Sequence, residues 1–174
     1  LNGIHNRTNY DLSRHQEYSG KSMLYVEPIS GEKYIPFVVE YSIGADRLML
    51  AVLAEAYDEE KLDDGETRVV MHFHPALDAY KVAVLPLQKK ELGPKAREVY
   101  NELARHFMCT YDDAGSIGKR YRRQDEIGTP YCVTIDFDTL ENGTVTVRDR
   151  DTMEQIRLPI SELASYVEEK IKLY

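Results

Sequence analysis

Residues 34–57, YIPFVVEYSIGADRLMLAVLAEAY, change periodicity halfway along, and that change decides how the chain is read. Ile35, Phe37, Val38 and Val39 form a short β-branched and aromatic run, the pattern of a buried strand. Gly44 marks a sharp turn that a side chain would obstruct. From Ala45 the spacing is helical: Leu48, Val52 and Ala56 recur every fourth residue, as do Met49 and Leu53. Leu50 and Ala54 fill much of the remaining circumference, so the helix is expected to be covered on most sides. Glu40, Ser42, Asp46 and Arg47 stand inside this apolar frame, and their grouping at a strand–turn–helix junction makes a candidate site. The plain alternative is that Asp46 and Arg47 form an ordinary polar first turn, with the acid favoured there by the helix dipole.

Outward from this stretch, residues 1–33 mix polar and apolar positions, with breaks at Ser19–Lys21 and Ser30–Lys33. Met23–Val26 and Tyr34–Val39 flank the second break as an antiparallel hairpin. Asp58–Thr67, DEEKLDDGET, is acidic and nearly devoid of apolar residues, which predicts a solvent-facing loop near a domain boundary. Lys81–Leu87 is an almost continuous apolar run, as at the centre of a parallel sheet. Ala96, Val99, Tyr100, Leu103 and Phe107 keep helical spacing; a strand at Cys109–Tyr111 and a helix over Ser116–Ile127 follow. Tyr131, Val133, Ile135 and Phe137 alternate as in a half-buried strand. Asn142-Gly143 reads as a hairpin turn into Thr144–Arg148, and Asp149–Asp151 turns the chain into Met153–Leu158. Pro159 and Ser161 open a last helix with Leu163, Val167 and Ile171 as its stripe. The order β-α-β-α-β-β-β-α predicts an α/β fold, a mixed sheet with flanking helices.

With 174 residues, 43% of them hydrophobic, the chain can bury one full domain plus part of another. No segment approaches the length of a membrane span and no signal-peptide pattern opens the chain. Cys109 and Cys132 lack paired spacing and read as buried thiols of a cytoplasmic protein. A net charge of −8 argues against indiscriminate nucleic-acid binding, so any RNA contact must be local.

The E-x-S-x-G-x-D-R pattern at Glu40–Arg47, followed by its apolar helix, resembles the third signature motif of the class II aminoacyl-tRNA synthetases. More narrowly, the chain resembles the dimeric glycyl-tRNA synthetase family. LNGIHNRTNYDLSRHQEYSG at the start is similar to that family's E-L-x-G-I-x-x-R-x-x-x-D-L segment. HFHPAL, KVAVLPL, YDDAGSIGKRYRRQDEIGTPYCVTIDF and TVTVRDRDTMEQIRLPI resemble its carboxy-terminal anticodon-binding domain. The resemblance implies that residues 1–67 are the last antiparallel strands and motif helix of a class II catalytic domain with an acidic connecting loop. Residues 68–174 are then the anticodon-binding domain. Because the chain opens at Leu1 in the middle of a motif, a fragment is expected.

The implied function is a glycine–tRNA ligase: ATP-dependent formation of glycyl-adenylate, then transfer to tRNA(Gly). The resemblance gives Arg47 a catalytic role against the adenine and γ-phosphate, where a guanidinium stacks and stays charged. Leu1, Gly44, Ala45, Asp46 and Arg47 border ATP, and Glu40, Ser42, Ile43 and Gly44 bind glycine. Glycine offers only an ammonium, a carboxylate and the lack of a side chain, so Glu40 is the natural ammonium partner. The family usually has proline where Tyr41 stands. Arg7 and Asp11 also match family positions and are read as supporting charges. Magnesium and a homodimer are implied for the full-length enzyme, and no membrane. Without the first two class II motifs, the chain alone is expected to be inactive.

Lys119, Arg120, Arg122 and Arg123 cluster around Tyr121, and Lys119, Arg122 and Arg123 share a helical face. Such a face suits RNA phosphates with base stacking and, from composition alone, equally a solvated helix paired with Asp112, Asp113, Asp125 and Glu126; the resemblance to an anticodon-binding domain implies that Lys119, Arg120, Arg122 and Arg123 bind tRNA. His72 and His74 offer two metal ligands on one strand face without a convincing third. A different class of function stays open beside the enzyme: a non-catalytic nucleic-acid-binding accessory subunit that has kept a synthetase fold. Such a subunit would be free to lose Glu40, Ser42 and Arg47, and all three are present.

Overall fold

In the computed structural model, which describes residues 1–62 and 65–172, the chain divides into two units, Leu1–Ala51 and Val52–Tyr174. The first holds β1 (Asn2–Asn6), α1 (Tyr10–Ser19), β2 (Tyr25–Val26), β3 (Lys33–Tyr34), β4 (Val39–Ile43) and the start of α2 (Ala45–Ala56). β1 pairs antiparallel with β4, and β2 with β3. The predicted strand–turn–helix is therefore present, with its strand beginning later than expected. Pro36 has no N–H to give a ladder, and regular pairing starts only at Val39. The run is not buried: Phe37 and Val39 are 64% and 68% exposed. Nor is α2 covered on most sides, since Met49 and Leu50 are each 66% exposed. This unit contains two two-stranded ladders and a helix, α1, with no buried residue, too little surface to enclose an all-round apolar helix. Helix α1 was not expected; Gly20, in the left-handed region, ends it by donating to the carbonyl of Gln16.

The second unit opens with β5 (Tyr57–Lys61) and β6 (Thr67–Met71), an antiparallel hairpin where the acidic loop was expected. The hairpin forms because β6 supplies the apolar partner: Val70 and Arg68 are fully buried, with Asp58 and Glu60 opposite them in the ladder. Residues 63 and 64 lie outside the described part. β7 (Val82–Pro86), α3 (Lys89–Leu103), β8 (Cys109–Tyr111), α4 (Ile117–Ile127), β9 (Tyr131–Ile135), α5 (Phe137–Asn142), β10 (Thr144–Asp149), β11 (Gln155–Pro159) and α6 (Ile160–Lys170) follow. The sheet runs β11-β10-β9-β7-β8, with β7 parallel to both neighbours and the other pairs antiparallel. This is the mixed α/β sheet that the sequence predicts.

β9 lies inside this sheet, and all five of its residues are buried, where half-burial was expected. Tyr131, Val133 and Ile135 pack with Leu92, Val99, Leu163 and Val167 of α3 and α6. Cys132 packs with Ala83 and Leu85, against Ile117 and Tyr121 of α4. Helices on both faces turn an alternating strand into a fully covered one. Asn142-Gly143 is not a hairpin turn. Asp136 caps α5 by accepting from the Thr139 amide at 3.0 Å, and Gly143 closes the helix in the left-handed region before β10 begins.

The segment from β6 to β7 is held by Lys81, whose Nζ donates to the carbonyls of Pro75, Ala76 and Asp78 at 2.7–2.9 Å. Arg150 reaches the same segment, 3.3 Å from both Asp78 oxygens and 2.6 Å from the carbonyl of Phe73. Burial pushes the Asp78 carboxyl up to about 7 against the pull of Arg150. A carboxyl raised in the folded state binds its proton more tightly there than in the unfolded chain. Its contribution to stability is therefore full below the ordinary carboxylate range and is lost as pH rises through about 7. Between about pH 4 and 7 this group costs up to about 1.4 kcal/mol of stability per pH unit. Asp78→Asn keeps the shape and removes the titration, so denaturant unfolding of the variant should show a flatter pH dependence across that range. A slope equal to the parent's would show that Asp78 is ionised throughout.

Candidate functional site

Two separate groups of side chains carry chemistry, one in each unit. In the first, the ladder pairs Gly3 with Ser42 and His5 with Glu40, so these four residues share one face. Asn2, Ile4, Tyr41 and Ile43 occupy the other face, where Asn2 donates to the Tyr41 hydroxyl at 3.1 Å. Tyr41 therefore points away from Glu40 and Ser42. Leu1, Asn2, Gly3, His5, Ser42, Ile43, Gly44 and Arg47 line a cleft of about 500 Å³. Of the predicted site residues, Leu1, Ser42, Ile43, Gly44 and Arg47 are thus brought together. Ala45 and Asp46 follow in the exposed first turn of α2. Gly44 is not required by its backbone: its φ is not left-handed, and a Cβ there would meet only Arg47 atoms at 3.7 Å. Gly3 has the tighter constraint, since a Cβ would lie 2.6 Å from His5 Nε2.

Glu40 does not stand alone. Arg7 Nη1 lies 3.0 Å from its Oε2, and Arg7 Nε lies 2.6 Å from Asp11 Oδ2 in the first turn of α1. The Arg7 hydrogen bond holds Asp11 below the usual carboxylate range. Arg7 thereby brings a cation to Glu40, in keeping with the supporting charge read from sequence. The signal was a strand position: the Arg7 amide bonds to the carbonyl of Val38, prolonging the ladder by one step.

In the second unit the basic run of α4 divides by direction. Arg120 is buried, and its guanidinium donates to the carbonyls of Gly115 and Pro86. Arg123 is held by Asp112 at 2.6 and 2.8 Å and by the Ala114 carbonyl. Lys119 and Arg122 line a cleft of about 410 Å³ with Glu66, Gly118, Tyr121 and Arg148. Tyr121 is not a free stacking surface: its hydroxyl lies 2.6 Å from Thr134 Oγ1, and the Arg148 guanidinium covers its ring at 4.9 Å. Beneath the helix, Asp125 is fully buried between Arg68 at 3.0 Å and Arg148 at 2.8 Å.

Asp58, Glu60 and His72 gather possible ligand atoms within 4.8 Å of one another, and His74 is not among them. Glu60 already faces the Arg68 guanidinium at 2.8 Å, which makes this an ion-paired cluster. Both cysteines are buried and unpaired; burial pushes the Cys109 thiol up to about 11 and Cys132 to about 12, which removes them as nucleophiles near neutral pH. The cleft beside Arg47 offers a hydroxyl, an amide and backbone oxygens but no carboxylate in its lining, a donor set that does not fit magnesium. No helix among the described residues is long and apolar enough to cross a membrane.

Residues 81–170 match the family model described as "Anticodon binding domain". A glycine--tRNA ligase of Clostridium kluyveri is 61% identical over 170 residues, 98% of this chain and 36% of the relative. One from Geobacillus kaustophilus is 62% identical over 169 residues, 97% of this chain and 36% of the relative. One from Clostridium perfringens is 58% identical over 174 residues, 98% of this chain and 37% of the relative. The chain spans little more than a third of the length of these curated relatives.

The two directions taken by the basic run give separable outcomes. Arg120→Ala strips donors from two buried carbonyl partners and should lower stability by about 2–4 kcal/mol. Lys119→Ala, at an exposed position, should change it by no more than about 0.5 kcal/mol. Chemical denaturation of both variants checks this, and equal losses would contradict the division.

Proposed function

The chain belongs to the anticodon-binding-domain family, and on that premise we propose that it is the carboxy-terminal part of a glycine–tRNA ligase. Its near-complete alignment with enzymes of that name carries the reading. Residues 1–67 then close a class II catalytic domain with its connecting segment, and residues 68–174 bind the tRNA anticodon arm, although hairpin β5–β6 packs within the second unit. The exposed apolar circumference of α2 fits this reading, because the chain covers only 36% of the relative's length and the rest leaves room for a sheet to cover it.

In the intact enzyme, a glycine carboxylate oxygen attacks the α-phosphorus of ATP, the bond to the leaving phosphate breaks, and glycyl-adenylate and pyrophosphate result. The glycyl group then passes to a ribose hydroxyl at the tRNA end, releasing AMP. The protein's work is positioning and charge. Glu40 and Arg7, opposite charges 3.0 Å apart on the face that carries Ser42, complement the two ends of a zwitterion. Glu40 takes the ammonium, and Arg7 faces the carboxylate. Ser42, Ile43 and Gly44 border the glycine. Gly44, Ala45, Asp46 and Leu1 border the nucleotide, with Arg47 against its adenine and terminal phosphate. Magnesium accompanies ATP in such reactions and supplies charge neutralisation; the residues of this cleft are not arranged to hold it, and no step here runs through it. The full-length protein would act as a cytoplasmic homodimer.

In the anticodon-binding part, Lys119 and Arg122 are the α4 cations that line the cleft, Arg122 also standing 4.0 Å from the buried Asp125, with Arg120 and Arg123 holding the helix that presents them. Replacing Lys119 and Arg122 in the chain should weaken binding to a tRNA bearing a glycine anticodon by about tenfold, with a shallower salt dependence. Filter binding over a range of salt measures it, and unchanged affinity would remove α4 from the interface.

Glycine-dependent pyrophosphate exchange tests the catalytic half. A full-length protein containing this chain should lose at least about a hundredfold in rate on Arg47→Ala or Glu40→Ala, and the 174-residue chain alone should show no exchange. Near-normal rates in both variants would favour a non-catalytic accessory protein instead.

A further inference from the structure

His72, the residue after β6, bridges two segments that are otherwise far apart in the chain. Its Nε2 lies 2.9 Å from Glu60 Oε1 on β5, and its Nδ1 lies 2.6 Å from Asp151 Oδ1 in the turn between β10 and β11. Asp58 stands 3.9 Å from the same Nε2. Two cations bound the cluster: Arg68 lies 2.8 Å from Glu60, and Arg150 Nε lies 2.7 Å from Asp151.

A neutral imidazole has one donor nitrogen and one acceptor, whereas the imidazolium has two donors. Both carboxylates can accept from this ring only when it is charged. Loss of the proton turns a lone pair towards a carboxylate oxygen. The acids are themselves held in place, Glu60 by Arg68 and Asp151 by Arg150. Burial pulls the Asp151 carboxyl up, yet the hydrogen bonds from Arg150 and His72 outweigh it and hold it below its ordinary range.

We propose that His72 is a proton-operated latch between hairpin β5–β6 and the β10–β11 turn. Charged, it ties the two together; neutral, it lets one end go. The hairpin is the element that carries Arg68 into Asp125 of α4, so the latch sets how firmly the support beneath Lys119 and Arg122 is held.

The test compares thermal unfolding of the 174-residue chain at pH 5.5 and 8.5 in an Asp78→Asn background, which removes a buried carboxyl raised to about 7, inside the same window. Histidines lose their proton across roughly pH 6–8. The midpoint of Asp78→Asn should fall on going to pH 8.5. Adding His72→Lys, a cation that does not titrate there, should shrink that fall by about 2–4 °C. Adding His72→Gln should also shrink it, by lowering the midpoint at pH 5.5 towards its value at pH 8.5. Backbone amides of β5 and β6, corrected for intrinsic exchange and referred to those of β7, should exchange about tenfold faster at the higher pH only while His72 is present. A fall that is equal with and without His72, or hairpin protection that ignores pH in its presence, overturns the latch.

Discussion

Asp125 has no exposed surface, and two guanidinium groups hold it: Arg68 from β6 and Arg148 from β10. A carboxylate buried this deeply survives only with such partners, and losing one of them typically costs about 3–5 kcal/mol. An apolar trio of the same volume is often as stable, so what the cluster contributes is register. It fixes one rotation of α4 against the hairpin on one side and the sheet on the other. Arg68 extends the network to the carbonyl of Arg150, and Arg150 extends it to Asp78, Gly128 and Phe73. Among the described residues, no buried side-chain nitrogen or oxygen is left without a partner. The route of the chain from residue 67 to residue 151 is thus pinned by three arginines. Gly128 is part of the same fit: its φ is +87°, and a Cβ there would strike Phe73 at 2.5 Å.

That rotation separates cations that sequence lumps together. Lys119, Arg120, Arg122 and Arg123 read as a single basic run. Arg120 lies one position from the outward Lys119 and is turned by about 100° into the loop that precedes its own helix. A helical wheel alone cannot say which arc faces inward, because arginine tolerates both directions when carbonyls are present to receive it. The deciding partners, the carbonyls of Gly115 and Pro86, come from a helix-preceding loop and a strand end. Neither leaves a mark on side-chain periodicity.

The same contrast runs through the fold. Strands with strong local signals, such as β7 and β10, and the terminal helix with its Leu163 and Val167 stripe, were legible because apolar spacing reports burial directly. The acidic hairpin was not, because charge in β5 reads as solvent exposure until Arg68 is known to lie opposite Glu60. Asn142-Gly143 misled for a related reason. Its backbone preference is the same whether it closes a hairpin or a short helix, and the Asp136–Thr139 capping box decides between them. At the candidate catalytic cleft, Glu40, Ser42 and Arg47 were visible as polar intrusions into an apolar stretch. Arg7 was legible as a supporting charge, but its partner Glu40 was not, because the pairing depends on the register of β1 against β4, which places residues more than thirty positions apart on one face.

Charge balance gives this arrangement a consequence for recognition. The chain carries a net charge of −8, and an acidic residue, Glu66, lines the cleft that holds Lys119 and Arg122. A field of that sign repels polyanions at long range, while at the Debye length of about 8 Å in physiological salt only the nearest charges act. A nucleic acid approaching at random gains little, and one that seats its phosphates against Lys119 and Arg122 gains two local contacts without broad counterion release. Discrimination then falls to shape and to the groups lining the cleft beside those cations, Glu66 and Arg148 among them. If the proposed tRNA contact lies here, such a surface would trade affinity for selectivity, and only while the buried cluster keeps α4 in its single rotation.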